Sequence, residues 1–210
     1  MLDFKKRVLT VISKEKEKSF EESYYGSENT DGVRITPITY DSINSDVIEV
    51  LRIWRSENQS GFTKIFNVTH DGTEKWLKDG VLAREDRLLF FIVDKYDEII
   101  GHIGVSSFDF ENSTCEIDNV VRGKRSNQHN VMFLASCVLI EWIKSEIDPN
   151  EIRLRVLNDN TSALRLYDRL GFKLDSLLGL RRIDSNGCVE WVPDNEEIDR
   201  YFVSMIMRCN

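Results

Sequence analysis

Three groups of residues in this 210-residue chain have the types and spacing to do chemistry. Glu116, Asp118 and Val120 alternate along an extended run from Thr114 to Val121, which puts two carboxylates on one face of a strand, where either could accept a proton. Arg122, Gly123, Lys124 and Arg125 precede a helix that starts near Asn130. The unpaired N–H groups of a helix start attract phosphate, and the basic residues add positive charge beside them. Ala163, Leu166, Tyr167 and Leu170 recur at helical spacing, so a hydroxyl able to give up a proton lies on one stripe of a short helix. Two of these groups also have a plainer reading, Tyr167 as a core aromatic and Glu116 as a strand-edge carboxylate. Of the other titratable candidates, His102 in a strand reads as structural. His129, in the basic loop, fits ligand contact better than proton removal.

The elements that must position these groups are legible around them. Ile152, Leu154 and Val156 alternate with Arg153 and Arg155 as a strand. Asn160 can cap the helix by accepting the N–H of Ser162 or Ala163, and Gly171 suits a left-handed stop. A long helix from Asn130 to Ile147 is apolar on most sides and must lie buried on a sheet. Leu88 to Val93 and Ile99 to Ser107 form a hairpin across Asp94 to Asp97, and the Thr114 strand follows. Upstream, Val33 to Ile38 reads as a first strand, and Asp46 with Glu49 starts a helix carrying Val47, Val50, Leu51 and Trp54. Residues 58–71 are polar with isolated aromatics, suited to a substrate wall, and 73–78 form a short helix. A strand through Leu180, a turn at Asp184 to Gly187, a strand from Cys188 to Val192 and a last strand from Tyr201 to Met207 complete the order. Residues 1–32 read as a charged arm or helix plus linker, with Phe4, Val8 and Ile12 on one face, and 33–210 as one domain. A solvated arm is the simpler reading of that first segment. The fold class is α+β, a mixed, largely antiparallel sheet with helices on both faces.

Composition narrows the function. A hydrophobic content of 41% and a charged content of 30% are those of a globular domain. A net charge of −8 argues against a general nucleic-acid grip, while leaving room for one local basic pocket. Cys115, Cys137, Cys188 and Cys209 form no Cys-x-x-Cys pair, so neither a zinc knuckle nor a disulfide framework is expected. The apolar run from Val131 to Ile140 is too short to span a bilayer, and Met1 to Thr10 lacks the apolar core of a signal peptide. A reduced cytoplasmic setting, with no membrane and no nucleic-acid partner, is the expectation.

In that element order, the spacing Asn160-x-x-Ala163-x-x-x-Tyr167-x-x-x-Gly171-Phe172 resembles the closing motif of the GNAT superfamily of acyl-CoA N-acyltransferases. Arg122-Gly123 ahead of the long helix resembles the family's pyrophosphate loop, although the loop's later glycine has no counterpart. Weaker similarities at Leu51 to Arg55 and at Thr73, Trp76 and Leu77 point to the branch of nucleotide-amino-sugar and ribosomal-protein N-terminal acetyltransferases.

The resemblance implies a splayed strand pair and acetyl-CoA as cosubstrate, with no metal. It implies that Val120, Val121, Arg122, Gly123, Lys124, Gln128, His129, Asn130, Val131, Asn160 and Tyr167 contact the acyl-CoA. Backbone groups near Val120 and Val121 would polarise the thioester carbonyl, Tyr167 would protonate the leaving thiolate, and Glu116 would take the amine's proton directly or through water. The acceptor is expected to be a small-molecule amine, with a nucleotide-linked amino sugar as the leading class. Protein N-terminal acetylation and a non-catalytic acyl-CoA-binding module are the alternatives. Subunit pairing through terminal strands, giving a homodimer, is a further implication.

Overall fold

The computed structural model describes residues 2–19 and 23–209. Helix α1 (Leu2–Lys16) opens the chain, followed by strand β1 (Arg34–Pro37), helix α2 (Ser45–Glu57), the short strand β2 (Lys64–Ile65) and helix α3 (His70–Leu77). Three long strands come next: β3 (Leu88–Val93), β4 (Ile99–Asp109) and β5 (Thr114–Arg122). Helix α4 (Val131–Trp142), strand β6 (Glu151–Leu157) and helix α5 (Thr161–Leu170) precede β7 (Lys173–Ser185), β8 (Cys188–Pro193) and β9 (Arg200–Arg208). The nine strands form one sheet in the order β1-β3-β4-β5-β6-β9-β7-β8-β2. Every pairing is antiparallel except β5 with β6.

Period-2 alternation sends β3 side chains to two different cores. Leu88, Phe90 and Ile92 pack with Ala135 and Leu139 of α4, while Leu89 and Phe91 pack with Leu51 and Trp54 of α2 and Leu77 of α3. Helices therefore cover both faces, as the alternation and the apolar long helix require. That helix runs as α4 to Trp142 and continues in a wider π-type turn over Ile143–Ile147. The α2 cap lies two residues earlier than the sequence suggests: Asn44 accepts the N–H of Val47 at 3.0 Å. No helix among the described residues is long and apolar enough to cross a membrane.

The first helix departs from the solvated arm. Phe4, Val8 and Ile12 are 8%, 0% and 1% exposed and belong to the α4-side core. Buried Glu15 accepts from Lys18 at 2.7 Å and from the Tyr25 hydroxyl at 2.5 Å, and Tyr25 packs edge-on against Phe90 and Trp142. Arg7 pairs with Asp148 at 2.7 Å, and Lys16 Nζ donates to the carbonyls of Val81 and Leu82. Three apolar residues at four-residue spacing suffice to dock a helix when the rest of its surface faces water. Residues 20–22 of the expected charged arm lie outside the described residues. Ile12→Ala is expected to lower unfolding free energy by about 2–4 kcal/mol in urea titration, against under about 0.5 kcal/mol for a solvated arm.

Candidate active site

The site begins where two strands stop pairing. β5 and β6 run parallel only through Thr114, Cys115 and Glu116 against Glu151, Ile152 and Arg153. Beyond that both strands continue without each other, so their facing backbone edges lack a ladder partner and call for a ligand to satisfy them. A cleft of about 990 Å³ opens there, walled by both strands, the start of α4, the first turns of α5 and residues 58 and 60–63.

On the β4 side β5 is bulged. Gly101 faces Arg122, His102 faces Val121 and Gly104 faces Asp118, so Ile103 alone faces both Asn119 and Val120. Asn119 takes the extra-residue position at φ 49°, in the left-handed region. Its carbonyl lies 2.7 Å from His102 Nδ1, and because a carbonyl can only accept, that nitrogen carries the proton. Burial pulls the His102 pKa down to about 4, so the ring is neutral near pH 7. Trp54 stacks on the ring at 6.2 Å between centroids. At Gly101 a Cβ would lie 2.2 Å from the Val121 carbonyl oxygen, so only glycine permits this approach. The sequence reading missed the bulge, for which Gly101 and Gly104 inside a strand are the available signal.

At the other end of the cleft α4 presents an anion-receptive start. Asn130 sits at φ 58° and makes no side-chain cap, and the first helical bond runs from Leu134 N–H to the Asn130 carbonyl. The N–H groups of Val131, Met132 and Phe133 thus precede the helical ladder, and all three residues line the cleft. Arg122 and Arg165 line it without a carboxylate partner among the described residues. Arg169 donates to Asn130 Oδ1 at 2.8 Å, with its guanidinium over the Phe133 ring. Arg165 and Arg169 escaped the sequence reading because they come from α5, which reaches the start of α4 only through the fold.

The expected acyl-CoA contacts divide in two. Val120, Val121, Arg122, Gln128, His129, Asn130, Val131, Asn160 and Tyr167 line the cleft. Gly123 and Lys124 do not. Both donate their N–H to the Ile100 carbonyl at 2.9 Å, Lys124 Nζ is bonded to Glu98, and the side-chain-free face of Gly123 is filled by the Trp54 indole. Gln128 is also tied into the protein, donating to the Asp31 carbonyl at 2.7 Å and accepting from Lys95 N–H.

Tyr167 faces the cleft from a nearly closed position, 7% exposed and edge-on to Phe172 at 6.1 Å. Burial pushes its hydroxyl pKa well above the usual tyrosine value, so the proton is retained, and the hydroxyl bonds to no other described residue. The helix beneath it forms as the spacing requires. Asn160 Oδ1 accepts the Ala163 N–H at 3.3 Å, and Gly171 ends the helix at φ 96°. Each carboxylate of the cleft wall has an arginine partner. Glu116 accepts from Arg155 at 2.9 and 3.1 Å, Asp118 from Arg87 at 2.8 Å, and Asp159 from Arg200 at 2.6 and 2.7 Å. Arginines outnumber carboxylates in that wall, five (Arg122, Arg155, Arg165, Arg169, Arg200) to three, although the whole chain is acidic.

The model of the acetyltransferase (GNAT) domain matches residues 36–173, more than half of the chain. The chain belongs to the GNAT acetyltransferase family and is an acyl-CoA-dependent N-acetyltransferase. No curated protein sequence matches it. Solved structures that resemble it include a GCN5-related N-acetyltransferase from Brucella melitensis, at 15% identity and TM-score 0.67, covering 92% of this chain and 80% of that one. The spermidine N-acetyltransferase from Vibrio cholerae in complex with CoA and spermine matches at 11% identity and TM-score 0.65, covering 84% and 95%. Apo FdhC, a nucleotide-linked sugar GNAT, matches at 12% identity and TM-score 0.59, covering 85% and 87%. At these identities the likeness speaks for the fold.

Proposed function

We propose that the enzyme transfers an acetyl group from acetyl-CoA to a primary amine on a small anionic molecule, with a nucleotide-linked amino sugar as the leading class. The observation that carries this reading is the charge of the cleft wall. Every carboxylate in it is neutralised by an arginine, and further arginines remain without a carboxylate partner among the described residues. With each wall carboxylate already paired to an arginine, a polycationic amine would find no free negative charge there, even once the remaining arginines are taken up by the phosphates of acetyl-CoA. The Arg200 bond to the Ser60 carbonyl at 3.3 Å also holds the segment around residue 60 against the cleft, a narrower wall that suits a compact acceptor better than a polypeptide.

In this reading the α4 start, Arg122, Arg165 and Arg169 hold the phosphates of acetyl-CoA, and the unpaired edge of β5 at Val120 and Val121 holds the pantetheine and polarises the thioester carbonyl. Glu116 takes a proton from the amine, directly or through one water. Arg155 occupies one lone pair on each of its oxygens and leaves others free. As the C–N bond forms and the C–S bond breaks, Tyr167 gives its proton to the departing sulfur.

Thiol release from acetyl-CoA tests this against three acceptor panels: nucleotide-linked amino sugars, polyamines and short peptides with free N-termini. Turnover with the first panel, at kcat/KM at least about tenfold above the other two, is expected. Preferred turnover of spermidine or spermine would overturn the acceptor class, and preferred turnover of peptides would move the enzyme to protein N-terminal acetylation.

A further inference from the structure

We infer that His102 is a positioning residue: its Nδ1–H, bonded to the Asn119 carbonyl, locks the left-handed bulge that aims the free edge of β5 at the acyl-CoA. The inference rests on the proposed reading of that edge as the thioester's binding surface. Asn119 is the extra residue of the bulge at φ 49°, a left-handed conformation that asparagine reaches more easily than most residues but that interrupts the regular ladder of β5. The chain is fixed on both sides of it. Ahead, Asp118 Oδ2 accepts from Arg87 at 2.8 Å and from the Ser106 hydroxyl at 2.7 Å. Behind, Gly123 N–H is bonded to Ile100 and its open face abuts Trp54.

Between those anchors, the His102 bond at 2.7 Å holds the carbonyl of the extra residue. The ring is itself immobilised by burial and by Trp54 stacked 30° from its plane. A rotation at Asn119 would swing the following peptide, and with it Val120, out of register with the cleft. His102 lies outside the cleft wall, so its effect reaches the ligand only through the backbone of β5.

The test compares the full chain with His102→Asn and His102→Gln. Asparagine places an amide N–H close to the Nδ1 position, whereas glutamine carries it one bond further, to the Nε2 position. CoA affinity by calorimetry, hydrogen exchange of the Asn119 to Val121 amides, and KM for each substrate are the readouts. H102N is expected to bind CoA within about threefold of wild type. H102Q is expected to bind about tenfold more weakly, with exchange about tenfold faster, a raised KM for acetyl-CoA and an unchanged KM for the amine. Should H102Q not fold, His102→Ser, which cannot reach the carbonyl, takes its place. Wild-type affinity and exchange in both variants would overturn the inference. Failure of the wild-type chain to bind CoA would instead remove the reading of the β5 edge, and the exchange rates would still decide whether His102 holds the bulge.

Discussion

Tyr167→Phe is expected to lower kcat by about a hundredfold or more while leaving the thermal midpoint within a degree or two of wild type. The two halves of that result have separate causes. The hydroxyl bonds to no described residue, so its removal leaves no orphaned partner, and the ring keeps its edge-on contact with Phe172. What the variant loses is a proton held at the cleft on a group that burial keeps from ionising. The sign of that shift also fixes a pH dependence. Because the folded pKa is raised, Tyr167 stays protonated through neutral and mildly alkaline pH, so any alkaline fall in wild-type kcat below about pH 10 belongs to another group. Steady-state thiol release from pH 6 to 9.5 provides both measurements. A Phe variant with wild-type kcat would make Tyr167 a core aromatic and nothing more.

Gly123→Ala is expected to destabilise the protein by about 1–3 kcal/mol, and the cause is steric. A Cβ at that position would lie 1.9 Å from Trp54 Cδ2 and 2.1 Å from Cε2, and Trp54 is itself core, 6% exposed and wedged between α2 and the sheet. Either the indole or the chain just after β5 must move. Trp54→Ala alone should cost about 3–5 kcal/mol by opening a cavity. In urea titrations the double variant should be more stable than the sum of the two losses predicts, because the added methyl group then enters the space the indole vacates. Strict additivity would mean that the contact does not limit the packing, and the glycine would need another explanation, such as backbone approach to a ligand.

Gly123 also illustrates what the amino-acid order could and could not say. Its position in a basic loop ahead of a buried helix pointed to phosphate, and the loop does lead to the anion-receptive start of α4. The tryptophan that requires a glycine there lies 69 positions earlier, on an element that meets the loop only after folding. Where cause and effect lie within a few residues, the reading was close. The Asn160 cap, the Tyr167 stripe and the Gly171 stop, and the β3–β4 hairpin, formed with boundaries shifted by a residue or two. Where partners are distant it fell short. Residues 58–71 gave no sign that Lys64 and Ile65 pair with the edge of β8. Phe4, Val8 and Ile12 shared a face in the first helix, but nothing near them in sequence said that the α4-side core would receive it. Arg87, Arg155 and Arg200 lie far in sequence from the carboxylates they pair with, and only the folded sheet sets each beside one. The splay itself followed only from family likeness, since the alternation that marks a strand says nothing about where its pairing ends.

The strand order has a consequence for the timing of assembly. Of the nine strands of the sheet β9 comes last along the chain, yet it lies in the interior, between β6 and β7. Until Arg200 to Arg208 leave the ribosome, β6 and β7 each present a row of unsatisfied backbone groups with no strand between them, and β7, β8 and β2 have no ladder to the rest of the sheet. The cleft shares that dependence, because Arg200 belongs to β9 and fastens both Asp159 and the Ser60 carbonyl. A growing chain can complete α4 and the β3–β4 hairpin early, but the cleft wall is complete only with β9, and during that interval two open edges are exposed to any neighbouring chain.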